Sequence, residues 1–362
     1  MERDHHGREP LELRWRHPAG LVGLSFKNLI LTILTLGIYR FWAKTAVRRR
    51  LWQAVRVNGQ PLEYTGTGKE LFLGAIIAGL IIFVPTVAYV LALMFVFGPD
   101  SMMVDLLMIP LYVFFFFLVG VAVYRAMRYR LRRTLWRGIR GTMTGSPWRY
   151  GWTYFWTALT VPLTLGWSIP WRSVKLARLF TSDMSFGNRN FRFDGSWKAL
   201  LGPFAVMWGG WLMVDLLIGG FGYGAWMASS LHPGGAAGKG VGMLAMASGA
   251  GALVMALVAV WLSLRYKAAE MNYLASRTGF EGLTFSFSAT PGSLLRLWLG
   301  NLFIVLFSLG ILSPLALART GRYLVSRTRA EGTVDFSAIA PPADRLEGMG
   351  EGLADAFDID GL

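Results

Sequence analysis

The hydrophobic pattern of the chain is dominated by four long apolar runs. Three of them carry no charged residue over 27, 19 and 24 positions, at 71–97, 106–124 and 241–264. The fourth run, at 199–227, contains a single acid, Asp215. About 20 consecutive apolar residues cross the ~30 Å hydrocarbon core of a bilayer as a helix. The pattern therefore predicts four transmembrane helices.

Three shorter apolar segments share a triplet of a hydroxyl residue, leucine and glycine, and each is followed by a basic stretch. The triplets are Thr35-Leu36-Gly37, Thr164-Leu165-Gly166 and Ser308-Leu309-Gly310. Nine residues before the glycine the chain has Asn28, Thr157 and Asn301. Twelve residues after it the chain has an arginine each time, at Arg49, Arg178 and Arg322. Similarity at fixed spacing, without gaps, predicts a chain built from internal repeats.

Positive charge on both sides of these short segments predicts that they do not cross the membrane. The second segment, 150–171, follows eight arginines in 125–149 and precedes six basic residues in 172–198. Basic connectors stay in the cytoplasm, so a spanning segment here would export one of the two clusters. We therefore expect the three segments to enter the membrane and return, or to lie in its interface. Seven ordinary spans are the alternative, since 297–318 holds 22 uncharged residues.

The connectors between the apolar segments contain signals for short strands. Asn58-Gly59 is typical of a type I′ hairpin turn, and the run 283–287 alternates between apolar and polar residues. We expect small β-hairpins on the cytoplasmic face, which pair with one another. Extended loops over the lipid head groups are the alternative.

These signals together predict an all-α polytopic membrane protein with internal repeats, in which four transmembrane helices accompany three short re-entrant or interfacial segments and small cytoplasmic β-hairpins. The expected organisation is a polar N-terminal tail, a first repeat, a transmembrane hairpin, a second repeat, a second transmembrane hairpin, a third repeat and an acidic disordered tail. The corresponding boundaries are 1–20, 21–70, 71–124, 125–198, 199–264, 265–338 and 339–362.

Charge is concentrated beside the apolar runs, and its location decides what the basic composition means. The chain is 54% hydrophobic, has a mean hydropathy of +0.44 and carries a formal net charge of +15. Of its 36 Lys and Arg residues, 27 fall in five stretches next to apolar segments. This distribution is typical of cytoplasmic loops and of contact with anionic lipid head groups, so nucleic acid is not an expected partner. Both termini are accordingly expected in the cytoplasm.

Two stretches of the first repeat carry a family resemblance. They are NLILTILTLGIYRFWAK at 28–44 and LEYTGTGKELF at 62–72. They resemble the signature of the YjgN-like family of bacterial inner-membrane proteins, specifically over 26–74 and in weaker repeated form to about 338. The third repeat departs from the pattern, with Leu315 where the first has Trp42. The resemblance implies a multi-pass inner-membrane protein whose biochemical role is unassigned, and it supplies no catalytic residues.

Few residues are candidates for chemistry. Asp215 is a candidate intramembrane site for a cation or proton, because a carboxylate inside a span is costly and usually faces a protein interior or an aqueous cavity. A protonated or hydrogen-bonded carboxyl group is the alternative. Arg49, Arg178 and Arg322 are candidate contacts for lipid phosphate, and simple topogenic charge is the alternative reading.

The sequence contains no catalytic constellation. It has no cysteine, and its four histidines lack metal-ligand spacing, so no metal, no cofactor and no enzyme activity are expected. Two classes of function stay open. One is a transporter or channel for a small solute or ion, and the other is a non-transporting scaffold or lipid-interacting protein. A homo-oligomer is compatible with either class.

Overall fold

The structure is a computed structural model that describes residues 9–231 and 238–341. Helices and short strands alternate along this part of the chain. Five successive pairs of helices are separated from one another by strands. The helices are α1 (Leu21–Leu34), α2 (Arg40–Ala54), α3 (Gly68–Phe97), α4 (Met102–Arg132), α5 (Pro147–Leu163), α6 (Ile169–Asp183), α7 (Lys198–Leu231), α8 (Gly238–Ser276), α9 (Pro291–Phe307) and α10 (Ser313–Arg327).

The helices α3, α4, α7 and α8 are long and apolar enough to cross a membrane. Their candidate spans are Gly68–Phe97, Met102–Arg132, Lys198–Gly224 and Gly249–Ser276. At 1.5 Å per residue, such helices are about 40–46 Å long and exceed the hydrocarbon core of ~30 Å. The prediction of four transmembrane helices is confirmed. The basic stretch that begins at 125 is the end of α4, because the helix continues to Arg132.

Fourteen short strands follow or precede the helices in the described residues. They are β1 (Glu9–Pro10), β2 (Leu13–Trp15), β3 (Val55–Val57), β4 (Gln60–Pro61), β5 (Glu63–Tyr64), β6 (Thr134–Trp136), β7 (Ile139–Met143), β8 (Met184–Phe186), β9 (Arg189–Asn190), β10 (Arg192–Phe193), β11 (Thr278–Phe280), β12 (Leu283–Phe287), β13 (Thr328–Glu331) and β14 (Thr333–Val334). All their pairings are antiparallel.

The strands form one closed circle of ladders. Four consecutive pairs, β1–β2, β4–β5, β9–β10 and β13–β14, are bent segments interrupted by only one or two residues, and each bent segment joins two ladders. The order around the circle follows the chain from β2 and β3 to β13, and β14 then pairs with β1. The strands belong to four hydrogen-bonded sheets, and each bent segment takes part in two of them. We call this ring of four linked sheets the closed sheet, and the predicted hairpins are parts of it.

Each pair of helices begins and ends at two strand residues that face each other in a ladder. The five facing pairs are Trp15 with Val55, Tyr64 with Thr134, Met143 with Met184, Phe193 with Thr278, and Phe287 with Thr328. We call this end of the closed sheet the helical rim. The opposite end, the turn rim, carries the hairpin turns, including the predicted Asn58-Gly59 with φ of 48° and 80°. All five helical hairpins therefore leave the sheet from the same rim.

The three Leu-Gly pairs lie in turns of the same geometry at the tips of the short hairpins. The leucines have φ of 50°, 50° and 48°, and the following glycines have φ of 92°, 91° and 82°. In each turn the glycine N–H donates to a carbonyl five residues earlier, which is the pattern that ends many helices. The leucine side chains are 95%, 74% and 89% exposed. Each Leu-Gly segment thus reverses the chain.

The inside of the closed sheet is filled by one hydrophobic cluster near the turn rim. It joins side chains from opposite sides of the circle, such as Leu11 and Phe186, with Phe336 and Ile339 from the segment after β14. Residues 9–15 of the predicted polar N-terminal tail form β1 and β2, which complete the circle of ladders. Residue 339 was expected to begin the disordered tail, but Ile339 is 5% exposed and packs in the cluster. The tail beyond 341 lies outside the described residues.

Candidate functional site

Helix α2 carries three cationic side chains along one face. Arg40, Lys44 and Arg48 recur at intervals of four residues, which places them one above another on a helix. Arg40 is exposed, Lys44 is half-buried and Arg48 is buried. Arg48 donates from Nη1 to the hydroxyl of Tyr64 over 3.4 Å. Positive charge therefore runs from the tip of the first short hairpin to the helical rim.

A cavity of about 860 Å³ lies beside this row of cations, between α1, α2 and α10. This volume is within the range typical of small-molecule sites. The cavity extends from the third Leu-Gly turn to the helical rim, where Trp15, Trp52 and Val55 line it. Its walls are largely apolar and include Leu29, Val47, Leu51, Ile311, Leu317 and Leu324. Its polar lining includes the three cations of α2 together with Asn28, Thr32, Arg130, Thr134 and Thr320.

Asn28 joins α1 to α2 beside this cavity. The residue is only 7% exposed, and its Nδ2 donates to the carbonyl of Ala43 over 3.5 Å. Its Oδ1 is closed to solvent and has no hydrogen-bond partner among the described residues. A buried polar atom without a partner costs about 1–3 kcal/mol, so this position carries a local stability cost.

Two of the three arginines predicted to contact lipid phosphate make hydrogen bonds within the protein. Arg49 donates from Nη2 to the carbonyl of Gly66 over 3.2 Å, and Arg178 donates from Nη2 to the carbonyl of Gly195 over 2.7 Å. Both glycines lie just before a spanning helix. Arg322 is exposed on α10 and has no hydrogen bond or ion pair within the described ranges. A role in lipid binding stays a prediction for all three.

The same hydrogen bond recurs at two positions that sequence reasoning missed. Arg128 donates from Nη2 to the carbonyl of Gly145, and Asn272 donates from Nδ2 to the carbonyl of Ala289 over 3.0 Å. In all four cases the acceptor lies 17 residues after the donor, just before the next helix begins. These bonds tie each helical hairpin to its successor at the helical rim. The sequence did not reveal this recurring donor, because the fourth position has an asparagine, Asn272, where the others have arginine.

Asp215 lies exposed on α7 and does not line the cavity. Within the part of the chain that the structure describes, it has no hydrogen-bonding or ionic partner. Its neighbour Val214 is buried, and Trp211 donates from Nε1 to Ser263 Oγ on α8 over 2.9 Å. The structure thus brings no second charged residue from the described ranges to Asp215. Its role as an intramembrane site stays a prediction.

Two acids at the helical rim, the buried Asp183 and the half-buried Glu70, form a second group that the sequence did not reveal. Asp183 is 9% exposed, accepts from the hydroxyl of Tyr124 over 2.9 Å and pairs with Arg149 over 3.0 Å. Glu70 accepts from Tyr129 over 3.1 Å and pairs with Arg133 over 3.0 Å. Each acid joins helices that are far apart in sequence. We interpret these clusters as structural, because side chains of the protein already donate hydrogen bonds to the carboxylates and form ion pairs with them.

Tyr150 packs beside the Asp183 cluster, with its ring centroid 5.3 Å from that of Tyr124. Burial raises the pKa of Tyr150 to about 12, and the nearby Arg172 charge opposes this shift only in part. The hydroxyl group is therefore neutral at physiological pH.

No group of three or more potential metal ligands occurs among the residues that the structure describes.

Four helices long enough to cross a bilayer, joined to one closed sheet, define an integral membrane protein. Residues 19–356 match the family described as bacterial protein of unknown function (DUF898), and the chain therefore belongs to that family. Inner membrane protein YjgN of Salmonella typhimurium is 39% identical over 54 residues, and that of Escherichia coli O157:H7 is 42% identical over 50 residues. These alignments confirm the YjgN-like resemblance.

The alignments with these relatives are short. They cover 15% and 14% of this chain, and the chain covers 14% and 13% of the two relatives. No solved structure matches the chain. The relatives are inner-membrane proteins by name, which agrees with the spanning helices described above.

Proposed function

We propose that this protein is a lipid-interacting protein of the bacterial inner membrane that inserts three re-entrant hairpins into the cytoplasmic leaflet. The observation that carries the proposal is that all five helical hairpins leave the closed sheet from one rim. The short hairpins contain helices of 14 to 17 residues, about 21–26 Å long, which are too short to cross the ~30 Å core. Their exposed leucine tips suit lipid rather than water.

The cytoplasmic orientation of the helical rim rests on charge. Most cations of the basic stretches in 40–56, 124–150, 172–198, 265–279 and 319–329 lie toward this rim or in the closed sheet, whereas Arg40 and Arg172 lie near the hairpin tips. Positively charged connectors are retained in the cytoplasm, so both described chain ends, which lie on the sheet, belong there too. The equal turns at the three Leu-Gly tips support internal duplication of one hairpin unit.

A transporter or channel is the second candidate, but the geometry supports it less. A hydrophobic cluster joins side chains from opposite sides of the closed sheet near the turn rim. Asp215, the feature that favoured transport, lies outside the cavity and has no charged partner in the described ranges. Membrane lipids therefore account for more of the observed surfaces than a transported solute does.

Single cysteines test the topology. Because the chain has no cysteine, an impermeant maleimide added to spheroplasts is expected to label Asp100→Cys, in the turn between α3 and α4, from outside. Glu63→Cys and Glu281→Cys, exposed on the sheet, are expected to react only after permeabilisation. Seven ordinary spans would put positions 63 and 281 on opposite sides, and that result would contradict the re-entrant arrangement.

Lipid binding and transport are separated by a second experiment on the purified protein. Phosphatidylglycerol is expected to stabilise the protein in detergent, by about 2.7 kcal/mol at 100 times its dissociation constant, whereas phosphatidylethanolamine is expected to have a smaller effect. Thermal unfolding measures this difference, and proteoliposomes measure flux. Absence of the lipid effect together with selective flux of an ion or solute would instead favour the transporter.

A further inference from the structure

We propose that the cavity between α1, α2 and α10 is a binding site for one phospholipid with an anionic head group. The proposal rests on the lipid-interacting function proposed above and assigns that function to a particular site. The head group would lie against the cations of α2, and an acyl chain would follow the apolar wall toward the third Leu-Gly turn.

The row of cations is specific to the first short hairpin. The position of Arg40 is taken by Ile169 in α6 and Ser313 in α10, when the three glycines are aligned. The position of Lys44 corresponds to Ser173 and Leu317, and that of Arg48 corresponds to Ala177 and Gly321. Topogenic charge alone would not require three cations on one helix face beside a cavity. Their alignment along the cavity supplies the electrostatic complement of a phosphate diester.

The remaining lining selects an amphiphile. Ile311 of the third Leu-Gly turn and Leu317 and Leu324 of α10 line the cavity together with the cations of α2. A small soluble anion would leave this apolar wall uncovered, whereas an acyl chain would bury it.

The position of the cavity relative to the membrane also favours a lipid. Its outer end is formed by Gly310 and Ile311, in a hairpin tip whose Leu309 is 89% exposed. Its inner end is formed at the helical rim, where Arg48 contacts Tyr64. Arg48 and Lys44 lie toward this inner end and Arg40 lies toward the tip, so a head group at the rim would contact the first two and leave the acyl chain toward Ile311.

The test compares matched lysine substitutions on equivalent helices. Lys44→Gln removes a cation from the cavity, and Lys175→Gln removes an exposed one from α6. Native mass spectrometry and thermal unfolding measure binding of dioleoyl phosphatidylglycerol to the full chain in detergent. Loss of one charge-assisted contact is expected to weaken binding about tenfold in Lys44→Gln and less than twofold in Lys175→Gln. Lys44→Arg is expected to restore most of the affinity.

Three results would overturn the proposal in distinguishable ways. Equal binding by the wild type and Lys44→Gln would show that the lipid does not bind in this cavity, and the more general proposal of a lipid-interacting protein would still stand. Equal stabilisation by phosphatidylglycerol and phosphatidylethanolamine in the wild type would count against the proposed function as well. Comparable binding of soluble glycerol phosphate would identify an anion site that does not need the acyl chain.

Discussion

Replacing Trp136 by alanine is expected to lower the free energy of unfolding by about 3–5 kcal/mol, the usual cost of removing a large buried aromatic side chain. Trp136 is only 5% exposed and joins the closed sheet to the segment that fills it. Its ring lies 4.8 Å from that of Phe336 and 5.8 Å from that of Phe186. Its Nε1 donates to the carbonyl of Val57 over 3.2 Å. Chemical denaturation in detergent micelles measures the loss.

The matched control is Trp298→Ala on α9, where the side chain is 58% exposed. Surface substitutions away from special features usually change stability by less than about 0.5 kcal/mol, so this variant should unfold like the wild type. Equal losses in both variants would mean that the cluster inside the sheet contributes no more than a lipid-facing residue. That outcome would contradict the closed, filled sheet.

Replacing Gly151 by leucine is expected to separate α4 from α5 and to cost about 3 kcal/mol or more, because overpacking at a tight contact forces backbone shifts. A Cβ at Gly151 would lie 2.5 Å from Val121 Cγ2, and one at Gly120 would lie 2.7 Å from Tyr154 Cβ. Glycine is the residue that permits helices to approach this closely within a membrane. The yield of monodisperse protein and its thermal unfolding measure the effect.

Gly79→Leu provides the comparison for this substitution. Gly79 lies in the spanning helix α3, and a Cβ added there would meet no heavy atom within 4 Å. The exchange is chemically identical and adds apolar surface toward lipid, so we expect no loss of folded protein. If Gly151→Leu behaves like Gly79→Leu, the close packing of α4 on α5 is wrong.

Local signals in the sequence predicted the local geometry well. The Leu-Gly triplets coincide with chain reversals, and Asn58-Gly59 forms the expected turn with positive φ at both residues. These features depend on a few neighbouring residues and on the charges beside them. The four spans were visible for a similar reason, since hydrophobic length alone defines them.

The closure of the sheet could not be read from the sequence. Glu9 faces Val334 across the closing ladder, and neither β1 nor β14 has more than two residues or a clear alternating pattern. Other turns also lack the usual residues, such as Glu281-Gly282, where glutamate has φ of 44°. Pairing with neighbours on both sides, rather than intrinsic preference, holds such short strands in place.

The candidate site was only partly accessible to sequence reasoning. Asp215 was singled out because a lone acid in an apolar run is conspicuous, yet it lies outside the cavity. The cations at Arg40, Lys44 and Arg48 were counted as topogenic charge, since Arg49 and Arg50 obscure their spacing. These cations line a cavity only because α10 packs near α2, and α10 lies more than 260 residues further along the chain.

Closure of the sheet by β1 and β14 also sets an order for biogenesis. β1 is synthesised more than 300 residues before β14, so its outer backbone groups stay unpaired while all four spans enter the membrane. β1 has only two residues, and Pro10 has no N–H to donate, so its waiting edge is a poor template for another chain. Completion of β14 therefore closes the circle last, and a chain cut short before it would leave the circle open between β13 and β1.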